Sequence, residues 1–452
     1  MADNRDTIFA LSSGRPPAAI AVLRISGPRA GPALDSLSGR MPRPREAKLV
    51  RVRDPETGEV IDEALALWFP APHSETGEDV AELQVHGGRA IIAAVLAALG
   101  KISGLRPAER GEFTRRAFEN GRMDLTAAEG LADLVAAETQ AQRRQAFQHM
   151  KGLLGQRAGT WRERLLAALA LVEAGIDFPD EADVPQQQIE KQTLGIVGAL
   201  AEEISEALGA KGEQLREGFR VVIAGPPNAG KSTLFNRLAR RDAAIVSPYP
   251  GTTRDVLEIH LDLDGYPVTV LDTAGIRPSK DPIEQEGVRR ATEQARNADL
   301  VLWISDATDA DALRRRQEFL VSSKAVVWTV VNKMDLVTDR TATQALFHGC
   351  EPVFFVSSAT GHGVDELLES IGQFVERNFS LEPALVTRQR HRTHLQETLS
   401  ALIEAQKVVR TGHDELFAEH LRLAAQALGK LLGRVDVEDV LDVIFREFCI
   451  GK

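Results

Sequence analysis

Apolar residues within residues 1–117 fall in short runs rich in β-branched residues, which is the pattern of buried strands. The clearest runs are Ala19 to Ile25, Ala64 to Phe69 and Val80 to Val85. The segment from Arg89 to Leu99 is longer, consists mainly of Ala, Ile, Leu and Val, and predicts a helix. We therefore expect residues 1–117 to form an α+β domain, in which no catalytic motif is recognisable.

Residues 118–215 carry apolar side chains at three- and four-residue spacing, as at Leu165 and Leu169, which is typical of amphipathic helices. One helix is predicted to end just before Pro179, because proline lacks the N–H group that a helix interior needs. A second helix is predicted from Gln188 to Gln214.

The helical pattern stops near residue 216 and returns at residue 381. Residues 216–380 alternate strand-like and helical runs, which predicts an α/β fold. Residues 381–452 are helical again, with Leu421, Leu428 and Leu432 in helical register. The simplest organisation is a helical domain in two parts, 118–215 and 381–452, interrupted by an inserted α/β domain. The ends of a compact domain often lie close together, which makes such an insertion feasible.

Composition narrows the class of protein. Hydrophobic residues make up 43% and charged residues 26% of the 452 residues, which is ordinary for a globular protein. No secretion signal is recognisable, and the longest apolar run, Ala90 to Gly100, is too short to span a bilayer. The two cysteines, Cys350 and Cys449, cannot by themselves form a disulfide framework or a zinc site. We therefore expect a cytoplasmic protein without a membrane segment.

The formal net charge of −11 argues against binding nucleic acid through the whole surface, because such proteins are more often basic. One local stretch is basic and contains Arg106, Arg110, Arg115 and Arg116. These arginines either contact RNA or form the solvated face of a helix, and the second explanation is the more ordinary one.

The strongest chemical motif is Gly225 to Ser232, which has the pattern G-x-x-x-x-G-K-[ST] and follows the strand-like run Phe219 to Ala224. In such a phosphate-binding loop, backbone N–H groups converge on the phosphates at a helix N-terminus, where the helix dipole also favours anions. Lys231 would contact the β- and γ-phosphates, and the Ser232 hydroxyl would bind Mg²⁺.

Two further motifs fit the same site. Asp272 to Gly275 (DTAG) follows a predicted strand, so its carboxylate can hold Mg²⁺ through water and its glycine permits close approach to a γ-phosphate. Pro250 to Asp255 (PGTTRD) lies between these motifs, and Thr253 is the expected second hydroxyl ligand of Mg²⁺, released when the γ-phosphate leaves. Each short motif is weak alone, but their order and spacing are distinctive.

Base selection is predicted from Asn332-Lys333-Met334-Asp335, which follows the strand Ala325 to Val331. The Asp335 carboxylate can accept hydrogen bonds from N1–H and the exocyclic amine of guanine, and adenine offers neither. Sites of this kind discriminate by roughly 10⁴-fold or more. Ser357-Ser358-Ala359 is expected to support the base through its backbone, so the predicted nucleotide is GTP.

Hydrolysis needs a group that orients water, and many small GTPases place a glutamine directly after D-x-x-G for this purpose. Here that residue is Ile276, which can neither donate nor accept a hydrogen bond. Glu284 is the best-placed acidic candidate, and Glu286 is close behind it. A positive charge is also needed in place of an arginine finger.

Taken together, these motifs make the chain similar to the MnmE (TrmE) family of tRNA-modification GTPases. The resemblance covers nearly the whole chain and is carried by GPPNAGKST, GTTRD, DTAG, NKMD, LRISG, GEDV, HGG, DFPDE and the final Cys449-Ile450-Gly451-Lys452. It implies a folate-binding, dimerising α+β domain, a helical domain and an inserted Ras-like P-loop G domain, whose doubly wound sheet is mostly parallel.

The resemblance also implies a function and partners. A homodimer would work in a heterotetramer-type complex with the FAD-dependent MnmG (GidA) partner. Together they would add an aminomethyl or carboxymethylaminomethyl group to carbon 5 of the wobble uridine, position 34, of certain tRNAs. The implied cofactors are K⁺, Mg²⁺ and a one-carbon tetrahydrofolate, either the 5-formyl or the methylene form.

The site residues follow from the motifs and the resemblance together. The predicted GTP-binding residues are Asn228, Ala229, Gly230, Lys231, Ser232, Thr233, Ser247, Pro248, Tyr249, Pro250, Gly251, Thr252, Thr253, Asp272, Thr273, Ala274, Gly275, Asn332, Lys333, Asp335, Ser357, Ser358 and Ala359. The resemblance implies K⁺ ligands at Asn228, Ser247, Tyr249 and Thr252, and folate contacts at Arg24, Glu82, Arg122 and Lys452. It gives catalytic roles to Glu284, Lys231 and Cys449.

The chain departs from the family pattern at three places. It has Gly14 to Ala18 (GRPPA) where the family usually has a glycine-rich GRGG segment, which bears on the shape of the folate pocket. Arg122 stands where lysine is common, and Ser358 stands where alanine is usual.

Two functions from other classes compete with this interpretation. A ribosome-assembly GTPase, acting as an RNA-binding switch, would need a module such as a KH domain with its GXXG loop, and none is visible after the G domain. A nucleotide-gated dimeriser without chemistry of its own would leave Cys449 as a packing residue of the last helix.

Overall fold

The structure is a computed structural model that describes residues 6–177, 186–209, 212–241, 244–245, 257–272, 298–309, 311–322, 325–350, 352–378, 384–409, 413–435, 441, 444–445, 448 and 450–451. Internal contacts divide the chain into two compact units. The first comprises Met1–Val135, Phe147–Ser205 and Thr393–Lys452, and the second comprises Ala136–Ala146 and Glu206–Arg392. The domain limits inferred from sequence, at residues 117, 215 and 380, stay predictions.

The first unit contains a six-stranded sheet in the order β3-β4-β5-β2-β1-β6. Its strands are β1 (Thr7–Leu11), β2 (Ile20–Ser26), β3 (Lys48–Arg53), β4 (Val60–Phe69), β5 (Val80–His86) and β6 (Leu105–Pro107). Neighbouring strands are antiparallel except β1 and β6, which are parallel. Alternate residues of β2 and β5, including Leu23, Ile25 and Leu83, are fully buried in a core closed by two helices.

The helices described before the second sheet are α1 (Ala30–Ser38), α2 (Arg89–Lys101), α3 (Glu112–Glu119), α4 (Leu125–Ala136), α5 (Gln140–Met150), α6 (Leu153–Asp177), α7 (Gln186–Gly209) and α8 (Gly212–Glu217). Two more, Gln389–Val409 and Asp414–Leu432, follow the second sheet. Asp414–Leu432 packs along α6, and the two helices bury Trp161, Leu165, Leu421 and Leu428. None of the helices in the described residues is long and apolar enough to cross a membrane.

Helix is described in both parts of the segment from Gln188 to Gln214 that the sequence predicts to be helical, since α7 ends at Gly209 and α8 begins at Gly212. Both of these residues are glycines, which have a low helix propensity. Gly212 also packs closely, since a Cβ there would lie 2.2 Å from the carbonyl oxygen of Val386.

The second unit contains a seven-stranded sheet in the order β13-β12-β11-β7-β10-β9-β8. Its strands are β7 (Phe219–Ala224), β8 (Ala244–Ile245), β9 (Leu257–Leu263), β10 (Tyr266–Asp272), β11 (Leu300–Asp306), β12 (Val326–Asn332) and β13 (Val353–Phe355). The five strands from β13 to β10 are parallel, β9 is antiparallel to β10, and β8 at the edge is antiparallel to β9. Burial along all of β10 and most of β11 explains their nearly continuous apolar runs.

Helices alternate with the parallel strands of this sheet. The described helices that follow β7 are α9 (Lys231–Ala239), Ala312–Ser322, Arg340–Leu346 and, after the last strand, Val364–Asn378, together with a 3₁₀ turn at Met334–Leu336. Because the carboxyl ends of β7, β10, β11 and β12 lie at one edge, the loops that follow these strands are brought together there. That edge carries the described residues of the predicted nucleotide site.

The described residues near the C-terminus pack within the first unit. Phe445 and Phe448 lie in a buried apolar cluster with Leu125 of α4. Ile450 forms an antiparallel bridge with Arg110, and the carbonyl oxygen of Gly451 accepts a 2.8 Å hydrogen bond from the Ser12 hydroxyl. The last described residues are therefore held against the end of β1.

Gly111 and Gly121 offer a matched test of this packing, because both have a φ of +68° and alanine would impose similar backbone strain at either. A Cβ at Gly111 would lie 2.4 Å from the carbonyl oxygen of Phe445, whereas nothing lies within 4 Å of a Cβ at Gly121. We expect Gly111→Ala to destabilise the protein by about 1–3 kcal/mol more, the usual cost of overpacking. Scanning calorimetry should then show a larger fall in melting temperature for Gly111→Ala, and equal falls would contradict the packing.

Candidate functional site

The loop between β7 and α9 is shaped by residues with left-handed backbone. Gly225 has φ +146°, and a Cβ there would lie 2.4 Å from the carbonyl oxygen of Ile304 on the neighbouring strand. Asn228 and Gly230 have φ values of +63° and +96°. The loop therefore turns tightly from the strand into the first turn of α9, where a helix N-terminus favours anions.

Lys231 opens α9 and reaches back over this loop. Its Nζ donates to the carbonyl oxygens of Gly225 at 3.0 Å and Pro226 at 2.9 Å. Burial lowers the pKa of Lys231, and the charge of the Asp272 carboxylate opposes that shift. An ammonium has three donors, so this contact leaves one of them for another acceptor.

Asn332 links the phosphate loop to the base-supporting loop. Its Nδ2 donates to the carbonyl oxygen of Ala229 at 2.8 Å, and its Oδ1 accepts from both the N–H and the hydroxyl of Ser358 at 2.9 Å. A Cβ at Gly230 would lie 2.1 Å from that Nδ2, so glycine is needed for the approach. Two predicted motifs that are about a hundred residues apart in sequence are thereby joined by one buried amide.

The other two residues of the NKMD motif are also held by partners. Lys333, at φ +67°, forms a 2.6 Å ion pair with Asp306 at the end of β11. Burial raises the pKa of Asp306, but hydrogen bonds from Lys333 and Thr308 outweigh it and the net shift is downward. Asp335 accepts a 2.5 Å hydrogen bond from the Ser357 hydroxyl. Sequence reasoning missed Asp306, although a carboxylate at the end of a parallel strand is a signal that could have found it.

The remaining described residues of the predicted nucleotide site lie at the same edge. Ser232 and Thr233 are exposed in the first turn of α9, and Ala229 is buried. Asp272 is buried at the end of β10, which pairs with β7 in parallel. Ser358 and Ala359 follow β13 and are contacted by Arg237 of α9.

Several predicted site residues lie outside the described residues. They are Ser247, Pro248, Tyr249, Pro250, Gly251, Thr252, Thr253, Thr273, Ala274, Gly275, Glu284, Cys449 and Lys452. Ile276 and Glu286 lie outside them as well. The predictions made for these residues stay predictions.

The predicted folate residues Arg24 and Glu82 face each other on β2 and β5. Arg24 contacts Glu82 through Nε and a terminal nitrogen, each at 2.9 Å, and its other terminal nitrogen pairs with Glu75. The Arg24 guanidinium also lies 5.8 Å from the ring centre of Phe113. Three charged groups thus converge in a half-buried position.

The loop that carries Glu75 is fixed from several sides. Glu78 pairs with the buried Arg116 at 3.1 Å and accepts a 2.8 Å hydrogen bond from the Ser26 hydroxyl. A Cβ at Gly77, whose φ is +78°, would lie 3.3 Å from Cγ of Arg122, so the predicted residue Arg122 packs directly against the loop. The structure therefore brings Arg24, Glu82 and Arg122 to one region of the first unit.

The basic stretch noted in the sequence is engaged in ion pairs. Arg106 pairs with Glu112 at 2.6 Å, and Arg116 contacts the same carboxylate at 3.0 Å. Burial raises the pKa of Glu112, but these guanidinium groups outweigh it and hold that pKa at about 2. Arg115 pairs with Glu119 on α3. These contacts favour a structural role over RNA binding.

Comparison with known proteins gives matches along the chain. Residues 7–122 match the family model described as GTP-binding protein TrmE N-terminus, and residues 125–449 match the MnmE helical domain. A "tRNA modification GTPase MnmE" of Bradyrhizobium sp. strain BTAi1 is 55% identical over 449 residues, which cover 99% of each chain. One of Rhodopseudomonas palustris strain BisB18 is 54% identical over 458 residues, covering 100% of each.

A solved structure, the G domain of the T. maritima FeoB iron transporter, is 30% identical with a TM-score of 0.27, covering 35% of this chain and 98% of that one. The predicted fold class, with an N-terminal α+β part, a helical part and a P-loop G domain, is confirmed. Since one family model spans more than half of the chain and relatives match it almost from end to end, the chain belongs to the MnmE (TrmE) family of tRNA modification GTPases.

Proposed function

We propose that this GTP hydrolase couples hydrolysis to modification of carbon 5 of the wobble uridine, position 34, in certain tRNAs. The cytoplasmic homodimer would act with an FAD-dependent MnmG (GidA) partner and add an aminomethyl or carboxymethylaminomethyl group. The observation that carries the proposal is the end-to-end similarity of the chain to tRNA modification GTPases. Each of the two units also contains a polar site, one around Lys231 and one around Arg24. A ribosome-assembly role receives no comparable support.

The nucleotide site supports GTP as the substrate. Asp335 presents a carboxylate whose orientation is fixed by Ser357, so it can accept from guanine N1–H and the exocyclic amine. Lys231 is held over the phosphate loop by two carbonyl oxygens, so little rearrangement is needed to place its charge on a phosphate. The site thus offers a base reader and a phosphate cation on one rigid sheet edge.

The predicted metals fit the donors that are described. Mg²⁺ prefers oxygen ligands, and the exposed Ser232 hydroxyl and the buried Asp272 carboxylate are such donors at the ends of α9 and β10. Mg²⁺ would neutralise charge on the phosphates, with Thr253 as the second protein hydroxyl. K⁺ would lie at Asn228, Ser247, Tyr249 and Thr252 and supply the charge that an arginine finger otherwise gives.

A one-carbon tetrahydrofolate fits the charges of the first unit. Its pterin ring carries N–H groups that can donate hydrogen bonds to a carboxylate such as that of Glu82. Its glutamate tail is an anion that the guanidinium of Arg24 or Arg122 can bind. The flanking residues Ile450 and Gly451 are held near the end of β1, whose residue Leu11 pairs with Leu23 beside Arg24. That anchoring supports a role for Lys452 and Cys449 at the same pocket.

Asp335→Asn should weaken GTP binding and favour xanthine nucleotides, because an amide can donate to the carbonyl that xanthine carries in place of the guanine amine. Competition binding with XTP and GTP measures the preference. Ser357→Ala is the control, since it removes the 2.5 Å hydrogen bond but leaves the carboxylate. It should reduce affinity for GTP without changing base preference. A mutant with asparagine that still strongly prefers GTP would exclude Asp335 as the base reader.

GTP hydrolysis should depend on K⁺, because Ile276 cannot orient water and Asn228 marks the cation site. Turnover is compared in KCl and NaCl at equal ionic strength, and the rate in KCl should be higher. Glu284→Ala should lower kcat by about 10²-fold or more in KCl while GTP affinity stays near wild type, as for a group that positions water. Equal rates in the two salts would rule out the cation site.

Cys449→Ser should abolish tRNA modification while GTP hydrolysis stays nearly intact. A thiolate is a good nucleophile when nearby positive charge lowers its pKa, and Arg446 and Lys452 are close in sequence. Wobble-uridine modification, GTP turnover and folate binding are measured on the one purified variant. Persistent modification would remove Cys449 from the mechanism, and lost folate binding would make its role indirect.

A further inference from the structure

Arg237 lies in the last turn of α9, six residues after Lys231, and contacts the base-supporting loop. Its Nε donates to the carbonyl oxygen of Ser358 at 2.5 Å, and a terminal nitrogen donates to the carbonyl oxygen of Ala359. We propose that Arg237 is a positioning residue for guanine recognition, which holds this loop against the helix that begins at the phosphate loop. The proposal rests on the assignment of the nucleotide site given above.

Two bonds from one planar guanidinium restrict the loop more than one bond would. The guanidinium presents its N–H groups in a fixed fork, so two successive peptide units are oriented together. In a planar trans peptide the C=O and N–H groups point in opposite directions. The Ser358 carbonyl faces Arg237, and therefore the N–H of Ala359 in the same peptide points away from α9.

That Ala359 N–H is the donor left for a ligand. The N–H of Ser358 donates to Asn332 and the N–H of Thr360 donates to the Ser357 hydroxyl. Among the described residues, the N–H of Ala359 has no acceptor within hydrogen-bond distance. A backbone donor beside the Asp335 carboxylate complements guanine, whose O6 carbonyl lies next to N1–H. Arg237 would thus fix the donor that reads O6.

The loop is shaped to admit the guanidinium. Gly361 has φ +95°, and a Cβ there would lie 2.7 Å from a terminal nitrogen of Arg237. The same glycine closes the turn by donating its N–H to the carbonyl oxygen of Ser357 at 2.7 Å. Any side chain at this position would therefore push the arginine away from the two carbonyl oxygens.

Two arginines directly after α9, Arg240 and Arg241, provide a comparison. Arg241 pairs with the exposed Asp365 in the first turn of the helix Val364–Asn378. Arg240 is exposed on the wall of the same groove, a cavity of about 420 Å³ that Arg237 also lines. Arg240 contacts neither loop carbonyl, so Arg240→Ala removes an equal charge from the end of the same helix without releasing the loop.

The test compares Arg237→Ala with Arg240→Ala by equilibrium binding of fluorescent guanine nucleotides and by steady-state hydrolysis. Arg237→Ala should raise Kd for GTP and GDP by about tenfold, as expected from the loss of charge-assisted hydrogen bonds. KM should rise with it, while kcat at saturating GTP stays within about twofold. Arg237→Lys keeps one point donor and should recover part of the affinity. Arg240→Ala should leave Kd within about twofold of wild type.

Nucleotides with different bases distinguish a role of Arg237 in reading O6 from a general effect on the structure of the site. The triphosphate of 2-aminopurine riboside lacks O6, so Arg237→Ala should hardly change its affinity, while inosine triphosphate, which keeps O6, should lose as much as GTP. Gly361→Ala should weaken GTP binding in the wild type and much less in the Arg237→Ala background, because the guanidinium it displaces is absent. Gly349→Ala, at φ +84° in open space, is the control for backbone strain.

The proposal would be overturned if Arg237→Ala lowered the affinity for all three nucleotides equally. It would also be overturned if Arg237→Ala and Arg240→Ala had the same affinity for GTP. Additive effects of Gly361→Ala and Arg237→Ala would do the same. The proposed function fails separately, if the wild type does not bind guanine nucleotides or if Asp335→Asn does not alter base preference. If the wild type binds GTP through Asp335 but Arg237→Ala leaves the affinity for GTP unchanged, only the positioning role of Arg237 is refuted.

Discussion

The nucleotide site depends on the buried amide of Asn332. This one side chain holds the phosphate loop at Ala229 and the base-supporting loop at Ser358, at the end of the strand β12 that carries it. An unsatisfied buried polar group costs about 1–3 kcal/mol, so each partner is strongly favoured in its observed place. The spacing between the phosphate and base subsites is therefore fixed by a bond within the protein, before any nucleotide contributes.

In the first unit, the guanidinium of Arg116 likewise joins two segments of the chain. Arg116 is buried and contacts both Glu78 and Glu112, so the loop around Gly77 and the helix α3 cannot move independently. Removing Arg116 would take away the guanidinium that pairs with Glu78 and Glu112, and breaking a buried ion pair in this way is strongly destabilising. The polar residues that build these sites are thus positioned by neighbours that need not touch a ligand themselves.

The sequence predicts correctly those features that depend on residues close together in the chain. A strand, a glycine-rich turn and a helix N-terminus lie within residues 219–239, and the structure has all three there. The bonds of Ser357 to Asp335 and of Arg237 to Ser358 join segments 22 and 121 residues apart. No periodicity or spacing encodes such pairs, because they arise only when parallel strands bring their carboxyl ends to one edge.

The departures from the family pattern are compatible with the contacts around them. The Ser358 hydroxyl adds a hydrogen bond to Asn332 Oδ1, and a carbonyl oxygen has two lone pairs, so the backbone donor is not displaced. Arg122 packs its aliphatic carbons against Gly77, a contact that the stem of lysine could also make.

The segment Gly14 to Ala18, before β2, has prolines where the family usually has glycines. Its last residue, Ala18, nevertheless packs closely on Gly87, because a Cβ added at Gly87 would lie 2.3 Å from the Ala18 carbonyl oxygen. The Ala18 N–H also donates to the Gly87 carbonyl oxygen at 3.2 Å. The close approach therefore depends on the missing side chain of Gly87 in the HGG motif, and Ala18 contributes to it through its backbone.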